Sequence, residues 1–508
     1  MIQQLTSHPF KHWAWNDREN RTLIAVFAII SIAAFIWLKV LYPFPNFLPD
    51  SYSYLTAAYN NQSINIWPIG YSMFLRLFSS FTRSDTALVF SQYFLLQGCL
   101  LYFLLTLRYW LSPSKWTFRI MLICCVANPL SLLISNFVAS DAVFASLSLI
   151  WLAQLLTIPF RPTINLLIRH AIVVVLAILV RHNALYYPFV SLACIAFAIK
   201  PIKIKLVGIA AMFTLVGSMA GHSLYHYRQL SGKAQFSAFG GWQLASNALY
   251  VYAHVEREDA VDDVPKPLQP LHRLVNLHLD SLKKLPFRPD LQLGIYYLWD
   301  EKAPLKEYLR QKWAKDSTTD LLTRWASMGP LYAKYGAWLI RRHSAGYLRY
   351  FIWPNLVRYY TPDPEFIHSY NMGSDSVEEI ARFWFHYKST RVHAATKDIS
   401  LADAFPIVLA LINVLFILSF IGFAFVGGFR DARFGLRRAL LLIGVVWLIN
   451  MGFSVLASPI VLRYQLFPLF FTLSFAALLL EYIIHRSTSS SQSSTIHHET
   501  YRQSIAVS

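Results

Sequence analysis

Asp50 is the most suggestive residue in the chain. The run Tyr42-Pro43-Phe44-Pro45-Asn46-Phe47-Leu48-Pro49-Asp50 ends a long apolar stretch with a rigid, proline-rich turn that delivers a carboxylate just past it. A carboxylate held there is a candidate general base, a role that contributes roughly 10²–10⁴-fold to a reaction. It is equally the kind of residue that caps a helix, and the two roles are compatible, since a helix N-terminus favours the ionised form. A second acid, Asp141, follows Ser140 at the start of another apolar run; it reads as a helix start, as an acceptor-orienting group or as a partner for Arg181. Two arginines interrupt or open later runs, in Leu179-Val180-Arg181-His182-Asn183-Ala184 and in Arg463-Tyr464-Gln465-Leu466-Phe467-Pro468. A guanidinium fork matches phosphate oxygens and keeps its charge, so Arg181 and Arg463 are candidates to hold a leaving phosphate, with His182 assisting. The alternative is two side chains snorkelling to a membrane interface.

Aromatic residues accompany these charges. Tyr54, Trp67 and Tyr464 are candidate substrate contacts, and Tyr296–Asp300 and Trp353–Tyr360 offer rings that either pack on sugars or form core and interfacial belts. No metal site is expected: His272 and His278 lack a partner at ligand spacing, and Cys99, Cys124, Cys125 and Cys194 all lie in apolar runs.

What must position these residues is a membrane. The chain has 508 residues, 56% hydrophobic and 14% charged, where a soluble domain carries roughly a quarter charged residues. Apolar runs of spanning length are read at about 23–42, 86–106, 117–136, 142–160, 166–180, 184–199, 206–226, 404–427, 439–457 and 464–484, about ten in all. The fifth and sixth are short and could form one broken element. The N-terminal stretch lacks the pattern of a cleaved signal, so the first run is expected to remain as a span. The net charge of +18 forms no arginine-rich stripe for nucleic acid. It gathers instead in alternate connections: Arg108, Lys115 and Arg119; Arg161 and Arg169; Lys200, Lys203 and Lys205; Arg430, Arg433, Arg437 and Arg438. The positive-inside rule then puts both termini in the cytoplasm and two long connections outside.

The expected organisation is an N-terminal transmembrane module (1–227) whose first outer loop (43–85) carries two interfacial helices, then an extracytoplasmic domain (228–403), C-terminal transmembrane helices (404–486) and a disordered cytoplasmic tail (487–508). The fold class is therefore an all-α polytopic membrane protein with a mostly helical outer domain. Within that domain Leu305–Arg310 has a helical pattern, and Tyr335–His343 combines an apolar stripe, a tryptophan and basic residues, suiting either a helix on the membrane surface or one packed in the domain.

A first span, an immediate Asp50 and the Trp67-Pro68-Ile69-Gly70-Tyr71 turn together resemble the GT-C superfamily of integral-membrane glycosyltransferases. The similarity is to the bacterial relatives of protein O-mannosyltransferases and aminoarabinose transferases in particular. Asn128-Pro129-Leu130 with Ser140-Asp141, the short basic loop at Arg181 and the Arg463-Tyr464 motif are similar to corresponding features of those enzymes. The resemblance implies a polyprenyl-phosphate-linked sugar as donor, a lipid, glycan or protein acceptor, and an inner-membrane enzyme working on the outer face. Two departures stand out: Asp50 is followed by Ser51 where many relatives carry an adjacent acidic pair, and too few acids are evident for a divalent metal. The sequence thus points to an inverting, metal-independent glycosyltransferase. A transporter or lipid flippase is the alternative, and a non-catalytic relative a third possibility; charges gathered at span ends and the lack of repeated halves weigh against transport.

Overall fold

The computed structural model describes residues 9–198, 201–255, 263–316 and 318–505; residues 1–8, Lys200 and 506–508, which fall in the expected termini and one basic connection, lie outside it. The first apolar run forms α1 (Arg18–Leu41), started by Asp17, whose carboxylate accepts the Asn20 N–H at 2.9 Å. The following loop carries α2 (Pro49–Tyr59) and α3 (Gly70–Ser79), and Ser84 then caps α4 (Asp85–Leu111). α5 (Lys115–Val126) and α6 (Pro129–Ser135) are divided by Pro129, which has no N–H to continue the helix. Asn128 restarts it by accepting the Leu130 N–H at 2.9 Å. Next come α7 (Asp141–Thr157), α8 (Ile164–Val180), α9 (Tyr187–Phe197) and α10 (Ile202–Ser231).

The described part of 228–403 carries helices too, α11 (Gly240–Tyr252), α12 (Gln269–Leu282), α13 (Leu321–Arg342), α14 (Trp353–Tyr360) and α15 (Glu379–Phe385). Among the described residues the only β structure is a few isolated bridges. The chain finishes with α16 (Phe405–Phe425), α17 (Phe434–Ala457) and α18 (Leu466–Ile505). The described residues continue α18 as far as Ile505, and no glycine or proline follows Pro468.

Among the described residues seven helical stretches are long and apolar enough to cross a membrane, and α7 and α8 are apolar but shorter. At 17 residues each of these spans about 25 Å, somewhat less than a hydrocarbon core of ~30 Å. The fifth and sixth runs are not one broken element. After Arg181, in extended conformation, a 3-10 turn at His182–Ala184 reverses the chain, and α9 returns alongside α7. Cys194 Sγ donates to the Leu155 carbonyl at 3.6 Å, and His170 in α8 bonds Gln154 (3.1 Å) and Ser191 (2.9 Å) on either side. These bonds satisfy polar groups that lipid could not.

The bundle has two distinct ends. At one, Glu19 binds Arg108 at 2.9 Å and Arg119 at 3.5 Å, and Glu481 accepts the Ser114 N–H at 2.7 Å. The loop 43–85, the turn after α8 and the segment 228–403 gather at the other. That segment divides between two cores. Residues from Trp242 to Leu339 pack around Trp242, Trp325, Tyr297 and Tyr332, whereas Ile367, Tyr370, Trp384, Phe385 and Ile399 join the core of the transmembrane body. The α11–α13 contact is so close that a Cβ on Gly241 would lie 1.9 Å from the Gly329 carbonyl oxygen. Leu305–Arg310 lies within the helix Pro304–Lys312. The stripe at Tyr335–His343 packs within the domain: Tyr335 and Leu339 are buried and Gly336 meets the Leu244 backbone of α11.

Candidate active site

The proline-rich turn before Asp50 is pinned rather than free. Asn46 N–H donates to the Asn136 carbonyl at 2.9 Å and Val138 N–H donates to the Asn46 carbonyl at 3.0 Å, a short parallel bridge between this turn and the α6–α7 loop. That loop is fixed from the other side by Gln92 in α4, whose amide donates to the Ser135 and Phe137 carbonyls at 3.0 Å each. Gln92 in turn accepts the Tyr71 hydroxyl at 2.6 Å. Asp50 is not the cap of α2. Pro49 takes the first helical position, where its missing N–H costs nothing, so the cap moves back to Leu48 and Asp50 stands in the first turn. Ser51 accepts the Leu48 N–H at 2.8 Å, giving the residue after Asp50 a structural task.

Arg181 sits where α8 gives way to the turn, and α3 is seated on this junction by Gly70. A Cβ there would lie 2.6 Å from the backbone carbonyl of Leu179 and 2.8 Å from Val180 N. Arg463 and Tyr464 come from the 3-10 turn Leu462–Gln465 that opens α18. The segment 228–403 contributes a residue that sequence reasoning missed. Leu462 N–H donates to the Asp363 carbonyl at 2.8 Å, and this contact carries Glu365 onto Arg463. The missed signal was Thr361-Pro362-Asp363-Pro364-Glu365, a second proline-rich acidic turn of the type that singled out Asp50.

The result is a partly buried cluster of three carboxylates and two guanidinium groups. Arg181 and Asp141 form a close ion pair, with side chains only 14% and 4% exposed. Arg463 is shared loosely: Nη1 stands 3.6 Å from Asp50 and 3.7 Å from Asp141, and Nε stands 3.6 Å from Glu365. Each of these distances exceeds a proper charged hydrogen bond of about 2.7–2.9 Å. Arg463 Nε and Glu365 Oε2 are both buried without a hydrogen-bond partner. Tyr464 lies between the cations, its ring 4.4 Å from the Arg181 guanidinium and 5.0 Å from that of Arg463. Its negative face offsets part of the repulsion between them. Tyr54 completes the wall, its hydroxyl 3.3 Å from Ser140 and its ring edge-on to Tyr71.

Electrostatics follow from the count. With every group ionised the cluster carries one negative charge in excess. Burial raises the pKa of Asp50 above the ordinary carboxylate value, outweighing the opposing pull of Arg463 and Arg181. Burial likewise raises that of Glu365, against the pull of Arg463 and with Asp50 adding to the effect. The cluster is thus built to accept a proton.

Asp50, Asp141, Arg181, Arg463, Tyr464 and Tyr54 therefore come together, whereas His182 and Trp67 face elsewhere. The His182 ring lies 5.2 Å from Phe236, and burial lowers its pKa to about 4, which leaves it neutral near pH 7. Trp67 packs on Phe239 at 4.8 Å and Trp299 at 5.7 Å, joining the 43–85 loop to the segment 228–403. Of the aromatic faces at 296–299 and 353–360, Tyr297 and Tyr359 are fully buried, Lys306 stands 5.5 Å from the Trp299 ring, and Trp353 is exposed. Among the described residues no three His, Cys, Asp or Glu side chains converge as metal ligands. A cavity of about 110 Å³ at this end is lined by Trp37, Tyr42, Leu132, Leu133 and Leu401 with Asp398 and Ser400, and none of the site's charged groups lines it.

No protein-family model matches the chain, and no curated protein does. Among solved structures, the crystal structure of ArnT from Cupriavidus metallidurans bound to undecaprenyl phosphate aligns with 92% of this chain and 79% of that one, at 13% sequence identity and a TM-score of 0.32.

Proposed function

We propose that this multi-pass membrane protein is a glycosyltransferase of GT-C type that moves a sugar from a polyprenyl-phosphate-linked donor to a hydroxyl or similar group on a lipid, glycan or protein acceptor. The observation that carries the reading is the state of Arg463. It is a buried guanidinium shared by three carboxylates and properly hydrogen-bonded to none of them, next to a raised-pKa carboxyl that remains 19% exposed. A phosphate would supply the short hydrogen bonds that Arg463 lacks.

In this reading the acceptor oxygen attacks the anomeric carbon as the bond from that carbon to the phosphate oxygen breaks. Asp50 takes the acceptor's proton, and the polyprenyl phosphate leaves with its new charge against Arg463 and, through the Tyr464 stack, Arg181. Direct attack inverts the anomeric centre. Asp141 holds Arg181 in place. The concentration of Arg and Lys at the Glu19 end supports reading that end as cytoplasmic and the site as lying at the outer face of the inner membrane. All five charged groups of the site gather at one end of the bundle rather than at mid-depth, an arrangement that favours surface chemistry over transport.

The test is Asp50→Asn in inside-out and right-side-out vesicles supplied with a polyprenyl-phosphate sugar and acceptor membrane. Transfer is expected to fall by about 10²–10⁴-fold with normal insertion. A normally inserted variant with full activity removes Asp50 from the mechanism.

A further inference from the structure

Glu365 is held in a conformation its residue type disfavours. Its φ is +52°, in the left-handed region that L residues other than Asn, Asp and Gly seldom adopt. Such a backbone persists only where neighbours over-determine it. Here they do: the Asp363 carboxylate accepts the Glu365 N–H at 2.8 Å, and the Asp363 carbonyl accepts from Leu462, one residue before Arg463. Further along the same strap, Asn371 N–H donates to the Asn46 side chain at 2.9 Å. The strap is thus fastened to the turn carrying Arg463 and to the turn carrying Asp50, and Glu365 is aimed at the guanidinium between them.

Its partner contact is unfinished. Glu365 Oε2 and Arg463 Nε stand 3.6 Å apart, and neither has any other hydrogen bond. The charge count sharpens the point. Two guanidinium groups already face three carboxylates, so an incoming phosphate adds at least one more negative charge to a site with a surplus. Asp141 is committed to Arg181 by a close ion pair, and Asp50 must keep its charge to act as a base. Glu365 is the carboxylate left to give way.

We propose that Glu365 is the resident counter-ion of Arg463, displaced when the phosphate of a lipid-linked ligand binds, so that binding takes up a proton on Glu365. This rests on the reading of Arg463 as the phosphate holder. The groups facing Glu365 are Arg463, Asp50, Asp363, Asp141 and the Tyr464 phenol, and burial already favours its protonated form. Once neutral, its carboxyl O–H can donate to a phosphate oxygen while Arg463 Nε donates to another. Glu365 is a positioning residue here, since it sets the availability of Arg463.

The test uses the full chain in nanodiscs with a short-chain polyprenyl phosphate as probe, titrated between about pH 5 and about pH 8.5. The probe's own second ionisation is common to all variants, so the informative quantity is the ratio of wild-type to variant Kd. Glu365→Gln is expected to bind about tenfold more tightly than wild type at the alkaline end, the equivalent of one pKa unit of linkage, with the ratio falling towards one at the acid end. Glu365→Asp, which keeps the charge, is expected to retain the wild-type pH dependence. Calorimetry in buffers of different ionisation enthalpy gives an independent readout, and wild type is expected to take up more protons on binding than Glu365→Gln does at the same pH. Equal proton uptake by the two proteins, or a Glu365→Gln protein of normal thermal stability that binds no tighter than wild type at any pH, overturns the counter-ion role even if Arg463→Gln abolishes binding. If Arg463→Gln instead binds as wild type does, the phosphate-holding reading fails and the counter-ion role with it.

Discussion

Gly70→Ala tests whether the site depends on close seating of α3 against the end of α8. The Cβ of an alanine at this position would fall 2.6 Å from Leu179 C and O and 2.8 Å from Val180 N, and ordinary van der Waals contact begins at 3.4 Å. The shortfall is therefore about 0.8 Å (3.4 − 2.6), and every clashing atom is backbone, which cannot rotate away as a side-chain tip can. Either α3 lifts, dragging Tyr71 and its hydrogen bond to Gln92, or the end of α8 moves and takes Arg181 with it. Overpacking of this kind costs about 1–3 kcal/mol, and a catalytic group displaced by about 1 Å can cost ~10²-fold in rate. Gly98→Ala in α4 is the matched control, since nothing lies within 4 Å of its added methyl and alanine is the better helix former. Intrinsic tryptophan fluorescence during thermal unfolding in detergent gives the stability, and sugar transfer in vesicles gives the rate. Gly70→Ala should lose on both and Gly98→Ala on neither. A Gly70→Ala protein matching wild type in stability and rate refutes the idea that this contact positions Arg181.

Asp141→Ala leaves the largely buried Arg181 guanidinium without its close ion-pair partner, a loss of roughly 3–5 kcal/mol; adding Arg181→Ala should recover part of it, as a double-mutant cycle in thermal unfolding would show. Asp50→Asn should change stability in the opposite sense to activity. A carboxyl whose folded pKa is raised contributes stability that is present below its unfolded pKa and lost as pH rises through the folded one. The Asn variant should therefore be the more stable protein near pH 8, with the gap closing towards about pH 4, measured as Tm against pH. For the same reason transfer by the wild type should fall away on acidification at a higher pH than an ordinary aspartate would cause, since the base must be ionised. Trp67→Ala should lower stability by about 3 kcal/mol through loss of its contacts with Phe239 and Trp299, yet leave the Kd for polyprenyl phosphate within about twofold.

Local chemistry made much of this legible in advance. Apolar run length located helices at every expected span, and the break at Asn128-Pro129 follows from the missing proline N–H alone. Asp50, Asp141, Arg181 and Arg463 stood out because a charge at the edge of an apolar run needs a reason, and the fold brings all four together. What failed to show in the sequence was long-range. Glu365 reaches the site only because its turn pairs with the turn before α18, nearly 100 residues later, and no local pattern encodes that partner. Trp67 and His182 stand apart from the charged cluster for a related reason. Proximity in sequence to Gly70 and Arg181 suggested proximity to the chemistry, but each side chain turns towards the segment after α10. The stripe at Tyr335–His343 fitted membrane and protein interfaces equally, and only its packing against α11 decides between them.

The division of the segment 228–403 between two cores bears on how the site is completed. Residues 240–342 enclose their own aromatic core, whereas the stretch from Ile367 to Ala402 buries its apolar side chains in the transmembrane body. Glu365 belongs to the second part, at the point where the chain passes from α14 onto that body. A group placed there can be held rigidly by the spans without following any movement of the first part. That suits a counter-ion whose task is to meet Arg463 at a fixed separation. It also explains why a strained φ is tolerated: the bridge at Asp363 and the anchor at Asn371 are both fastened to elements that the membrane core immobilises. Removing the Asn371 anchor with Asn46→Ala should therefore loosen Glu365 and reproduce, in weaker form, the tighter phosphate binding expected of Glu365→Gln. An Asn46→Ala protein that inserts normally but binds the phosphate probe with unchanged affinity and pH dependence would show that the strap does not hold Glu365 in place.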